Sequence, residues 1–165
     1  MRSTNTHPSN SADWLGQFYI VRMVLTGVTT KLLPYLAFNG NCNEAMEFYQ
    51  RILGGKLSKQ SFGETMPDTT GADMKDKVIH AFLENELVSF MASDCPPGQE
   101  AVFGNSVSMS IIGSDETRLR EFFSKLSAGG KILMPLDKQF WGDVYGAFTD
   151  KYGINWMVNI SAKKE

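Results

Sequence analysis

The chain is poor in the residues that mark several large classes of protein. Two cysteines, Cys42 and Cys95, stand far apart in 165 residues, with no CxxC spacing. That argues against a disulfide framework or a thiolate metal site, and a reduced, cytoplasmic chain is the natural expectation. Histidine occurs twice, and His7 lies in a lead rich in Ser, Thr and Asn, so His80 is the only histidine of the body. Sixteen basic against eighteen acidic residues leave a net charge of −2, and no run of Lys or Arg offers a footprint for nucleic acid. The apolar stretch Trp14–Leu25 is broken by Gln17 and Arg22 and is too short to span a membrane. GxGxxG is absent, so no glycine-rich loop between strand and helix is available for a dinucleotide or a methyl donor.

What the chain does have is a repeat. Leu36-Ala37-Phe38 leads into Glu47-Phe48-Tyr49-Gln50-Arg51-Ile52-Leu53-Gly54-Gly55-Lys56. Ser110-Ile111-Ile112 leads into Glu121-Phe122-Phe123-Ser124-Lys125-Leu126, closed by Gly129-Gly130-Lys131. Glu47 and Glu121 are 74 positions apart, as are Phe48 and Phe122. Each copy reads as strand, turn, amphipathic helix, glycine pair and return to strand. The glycine pairs read as helix stops, since glycine takes the left-handed cap conformation without steric cost.

A hairpin follows in each copy. Lys77–Leu83 and Leu87–Ser93 form the first, and a two-residue turn at Asn85-Glu86 would pair Leu83 with Val88, Ala81 with Phe90 and Ile79 with Ala92. His80, Phe82, Ser89 and Met91 then share the opposite face. In the second hairpin Ala147-Phe148 matches Ala81-Phe82 and Trp156-Met157 matches Phe90-Met91, both 66 positions on. The first copy therefore holds eight more residues, expected in or near the polar loop Gly63–Lys75. Asn41 or Asn43 is expected to cap the first helix and Ser114 the second. Glu47 and Arg51 read as a supporting pair on the first helix, and Glu116–Arg120 and Glu121–Lys125 on the second. The expected divisions are an extension 1–31, a module 32–94, a linker 95–105, a module 106–160 and a tail 161–165. The extension is expected to be disordered or dispensable, with Met23 as a natural start.

The β-α-β-β-β order, present twice between Leu32 and Ile160, resembles the vicinal oxygen chelate superfamily of glyoxalases, dioxygenases and bleomycin resistance proteins. It is most similar to the PhnB-like (demethylubiquinone-methyltransferase-like) branch. The matching residues are Glu44-Ala45, Phe48-Tyr49, Gly54-Gly55, His80-Ala81, Ser93-Asp94, Gly129-Gly130, Trp141-Gly142, Tyr145-Gly146 and Asp150-Lys151-Tyr152-Gly153 before Trp156. Lys151 departs from the proline usual there. The resemblance implies an α+β fold of two modules, whose curved mixed sheets surround a cavity with helices outside. It also implies a homodimer.

Metal-dependent members of that superfamily place ligands at positions that fall here on Pro34, Met91, Ser108 and Met157. None offers the nitrogen or carboxylate oxygen that a divalent ion takes, so no metal and no cofactor are expected. The candidate ligand-binding residues are His80, Phe82, Met91, Trp141, Phe148, Asn155 and Met157, a mostly apolar lining with few polar groups. Each has a plainer alternative: His80 as a hydrogen-bonded structural histidine, Trp141 as packing or dimer contact, the others as core. Asp94 reads as a turn former. The expected partner is a small molecule, not nucleic acid or a membrane. Catalysis is left open, with a sequestering resistance-type protein and a metal-dependent enzyme as alternatives and a methyltransferase disfavoured.

Overall fold

The structure is a computed structural model describing residues 30–68 and 70–161. The expectations for the lead before residue 30 and for the tail after Ser161 lie outside the described residues. In the first module β1 (Tyr35–Phe38) turns into α1 (Cys42–Leu53), followed by β2 (Lys56–Ser61), α2 (Phe62–Thr65), β3 (Val78–Glu84) and β4 (Ser89–Asp94). The second module repeats the order with β5 (Met109–Gly113), α3 (Glu116–Leu126), β6 (Lys131–Lys138), β7 (Val144–Thr149) and β8 (Asn155–Ile160). The strand orders are β1-β4-β3-β2 and β5-β8-β7-β6. First and last strands pair in parallel and the remaining pairs are antiparallel. A parallel pair needs a crossover, and the long helix supplies it in each module. The α+β class and the two modules are as the repeat implies. The two sheets are not closed into one.

Spacing along the helices puts Ala45, Phe48, Tyr49 and Ile52 on one face of α1 and Leu119, Phe122, Phe123 and Leu126 on one face of α3. The second set is buried whole, whereas in α1 Met46 and Leu53 are buried with Ala45, Phe48 and Tyr49, and Ile52 is only half-buried. They join residues of both sheets in one core: Phe38, Ala81, Leu83, Phe90 and Ala92 from the first, Phe148, Trp156, Val158 and Ile160 from the second. Tyr49 carries the contact between modules, with its ring 5.8 Å from Phe90 in its own sheet and 5.6 Å from Trp156 in the other.

Three local expectations change. The β3–β4 register is Leu83 with Phe90 and Ala81 with Ala92, two residues from the expected one. A four-residue connection, Asn85–Val88, replaces the two-residue turn, and the Asn85 side chain accepts from the backbone N–H of Leu87 and Val88. A shift of two keeps every side chain on its face. Only Ile79 leaves its place, at a bulge where Gln60 pairs with His80 but Ser61 with Val78. The polar loop contains the short helix α2, started by a Ser61–Glu64 capping box.

The caps differ as well. Asn41 occupies the N-cap of α1 without a side-chain bond, and the Asp94 carboxylate accepts from Cys42 N–H instead, at 2.9 Å. Asp115, not Ser114, caps α3. Glu47 pairs with Lys59 of β2 at 2.6 Å, while the two pairs expected on α3 form.

Candidate functional site

Alternation along the strands gives each sheet a helix side and an open side. On the first sheet Phe38, Ala81, Leu83, Phe90 and Ala92 take the helix side. The intervening positions put Tyr35, Ser93, Met91, Phe82, His80, Gln60 and Ser58 on the open side. Register confirms the grouping: Met91 lies between Tyr35 and Phe82, and His80 opposite Gln60. His80 is half-buried, with its ring 6.2 Å from that of Tyr35. The Ser93 side chain interacts with the Tyr35 hydroxyl. Three of the seven candidates, His80, Phe82 and Met91, thus share one face. Tyr35 and Ser93 belong with them, although neither was a candidate for the site. Ser93 stands two residues from Met91 on β4, and Tyr35 joins the face only through the pairing of β1 with β4.

The other four part company. Met157 lies on the open side of the second sheet, opposite Ala147 and beside Ser110. Trp141 stands half-exposed in the β6–β7 connection, stacked edge-on with Phe140 at 4.8 Å and Tyr145 at 6.1 Å. The Asn155 side chain is committed to structure: it accepts from the Thr149 hydroxyl and donates to the Gly104 carbonyl, holding the linker. Phe148 is on the helix side, fully buried, with its ring 5.1 Å from Phe123 of α3. A cavity role for Phe148 is therefore corrected. Matching it to Phe82 assumed equal hairpins, but five residues join Thr149 to its partner Asn155 and four join Glu84 to Ser89. One extra residue reverses the facing, so Phe148 takes the place of Leu83.

On the open faces, Met91 pairs with Tyr35 and Met157 with Ser110 across the first and last strands of their sheets, one residue or two from Pro34 and Ser108. A phenol, two thioethers and a hydroxyl do not fit a hard or borderline divalent ion. Among the described residues no three His, Cys, Asp or Glu side chains gather in a way that could hold one.

Burial lowers the His80 imidazole below its ordinary value of 6.5 and raises the Tyr35 phenol. Both groups are uncharged at neutral pH. The unfolded chain would then take up a proton that the folded chain refuses. Above about pH 7 neither state binds it, and as pH falls through about 6.5 and below, stability is lost. Thermal midpoints of wild type and His80→Gln should run parallel from about pH 8 to 7, with wild type falling more steeply below about pH 6. Equal slopes throughout would show that His80 is not the responsive group.

A separate groove of about 620 Å³ lies at the start of α3, lined by Ser114, Asp115, Glu116, Thr117, Lys138 and Val144 among others. It contains none of the seven candidates. Cys42 is buried and the nearby Asp94 carboxylate adds to burial in pushing its thiol up, so it is an inert packing residue.

Comparison with known proteins agrees with this geometry. The pattern of the glyoxalase/bleomycin resistance protein/dioxygenase superfamily matches residues 31–158. The chain belongs to this superfamily. Protein YjdN of Escherichia coli is 35% identical over 140 residues, covering 78% of this chain and 94% of that protein. The crystal structure of protein PA1353 from Pseudomonas aeruginosa superposes with a TM-score of 0.73 at 37% identity, covering 82% of this chain and all of the other. A PhnB protein from Bacillus cereus, described as a putative 3-demethylubiquinone-9 3-methyltransferase, has a TM-score of 0.64 at 28% identity, covering 80% and 100%. Among the described residues, no helix is long and apolar enough to cross a membrane.

Proposed function

We propose that this chain is a small-molecule-binding member of the superfamily, assembled as a homodimer, whose ligand lies between open sheet faces and needs no resident divalent metal. The observation that carries the reading is the apolar surface left uncovered on the second module. Ile132, Leu133 and Met134 on edge strand β6, Ile112 on edge strand β5, and Trp141 all stand exposed. Exposed apolar side chains on both unpaired edges of one sheet call for a partner. A second copy would cover them under two-fold symmetry, and its face would complete the lining begun by Tyr35, His80, Phe82 and Met91. A cytoplasmic location suits the two unpaired thiols.

Methyl transfer, suggested by the description of the Bacillus cereus relative, finds no support in the chain. Gly54-Gly55 and Gly129-Gly130 end helices and do not open them. The donor set likewise gives no support to a metal-dependent glyoxalase or dioxygenase reaction. The second reading is sequestration without turnover, of the bleomycin resistance type, favoured by the apolar Met91 and the uncharged side chains around it on the open face. A compound screen followed by product analysis separates binding alone from catalysis.

Light scattering at micromolar concentration tests the assembly. A mass near twice 18.4 kDa is expected, and Ile132→Asp combined with Met134→Asp should shift the protein toward monomer. A single species near 18.4 kDa for the unaltered protein would refute it.

A further inference from the structure

The open face of the first sheet has a consistent charge pattern. Lys59, midway along β2, points to the helix side, where its ammonium meets Glu47 and Asn43, each at 2.6 Å. Lys56 and Glu84 face each other in register at one end of the sheet and offset one another in sign. Between them and Tyr35 the open face shows Ser58, Gln60, His80, Met91 and Ser93, all without charge at neutral pH, while Phe82 shares the face but is almost fully buried. Burial holds the His80 imidazole and the Tyr35 phenol in their neutral forms.

We infer that this face takes an uncharged compound, its aromatic or apolar body laid on Met91 beside the Tyr35 ring and its hydroxyl, amide or carbonyl group met by Tyr35, Ser93 and His80. The inference rests on the small-molecule reading above and narrows it to a chemical class. An anion brought onto Met91 would lose its water with no cation to replace it, and such a charge is costly to bury. A cation would find no carboxylate short of Glu84. A neutral polar group loses far less, because the two hydroxyls and the imidazole can each donate or accept a hydrogen bond. Tyr35 and Ser93 are thus specificity-determining residues as well as lining.

Two dyes that differ chiefly by one sulfonate make the test: N-phenyl-1-naphthylamine and 8-anilinonaphthalene-1-sulfonate. Fluorescence titration of the full chain at about pH 7.5 should show the neutral dye binding at least tenfold more tightly. Gln60→Lys, which places a cation opposite His80 on an edge strand, should tighten the sulfonate at least fivefold. Ser58→Lys, on the same strand and face, serves if that variant does not fold. Sulfonate binding as tight as that of the neutral dye would overturn the charge inference and leave the binding reading standing. No effect of either lysine would place the dyes elsewhere and overturn it too. Failure of both dyes to bind would sink the binding reading itself, and this inference with it.

Discussion

Replacing Asp150 by alanine is expected to cost roughly 3–5 kcal/mol of folding stability. Asp150 is almost fully buried at the start of the β7–β8 connection. One carboxylate oxygen accepts from the Tyr49 hydroxyl at 2.7 Å and the Trp156 indole N–H at 2.8 Å. The other accepts from the backbone N–H of Tyr152 at 2.8 Å and of Ile154 at 3.0 Å. Alanine would leave four donors in or near the core without their acceptor, and each unsatisfied buried group costs about 1–3 kcal/mol. Burial and the neighbouring carboxylate push the Tyr49 phenol well above its ordinary range, so it remains the donor at any ordinary pH.

Tyr49→Phe removes one donor and leaves the carboxylate three others, so about 1–2 kcal/mol is expected. Tyr49 belongs to the first module and Asp150 to the second, so the loss reports on docking between modules. Chemical denaturation of both single variants and the double variant measures it. An Asp150→Ala cost below about 1 kcal/mol would mean that water or a shifted side chain replaces the carboxylate.

Gly130→Ala should be the more damaging change within the second glycine pair, costing about 3 kcal/mol. A Cβ on Gly130 would come within 2.2 Å of the Thr149 carbonyl oxygen and 2.8 Å of the Asp150 Cα. These are backbone atoms where β6 joins β7, so the Lys131–Thr149 pairing must part to admit a methyl group. Gly129 is the residue with positive φ, at 77°, and a Cβ there meets only the Lys151 side chain at 3.7 Å. Gly129→Ala should therefore cost about 1–2 kcal/mol, the backbone penalty alone. Thermal and denaturant unfolding of the two variants decide the order. If Gly129→Ala were the worse, helix termination and not strand approach would be the reason for the pair.

The glycine pair shows how far a sequence can be read. Helix followed by Gly-Gly correctly locates the end of α3, because the signal is local. The reason for Gly130 lies in a strand that arrives some twenty residues later. Asp94 and Asp150 repeat the lesson. Asp94 reads as a turn residue, yet its carboxylate holds Cys42 N–H, 52 positions away, and Val78 N–H at the head of β3. Asp150 does belong to a turn, but no pattern announces that its carboxylate also ties Tyr49, 101 positions distant.

Periodicity and repetition by themselves determined the order of the main elements and most of each helix face, and the motifs set on that frame carried the resemblance to the superfamily. Each is a matter of residue type at a spacing, and spacing along one element survives folding unchanged. Tertiary structure decided which strand residues share the candidate site. It kept His80, Phe82 and Met91 together, added Tyr35 and Ser93, sent Phe148 to the helix side and committed Asn155 to the linker. Side chains alternate across a strand, so a connection one residue longer turns every following side chain over, and only the paired strands reveal which hairpin carries the extra residue.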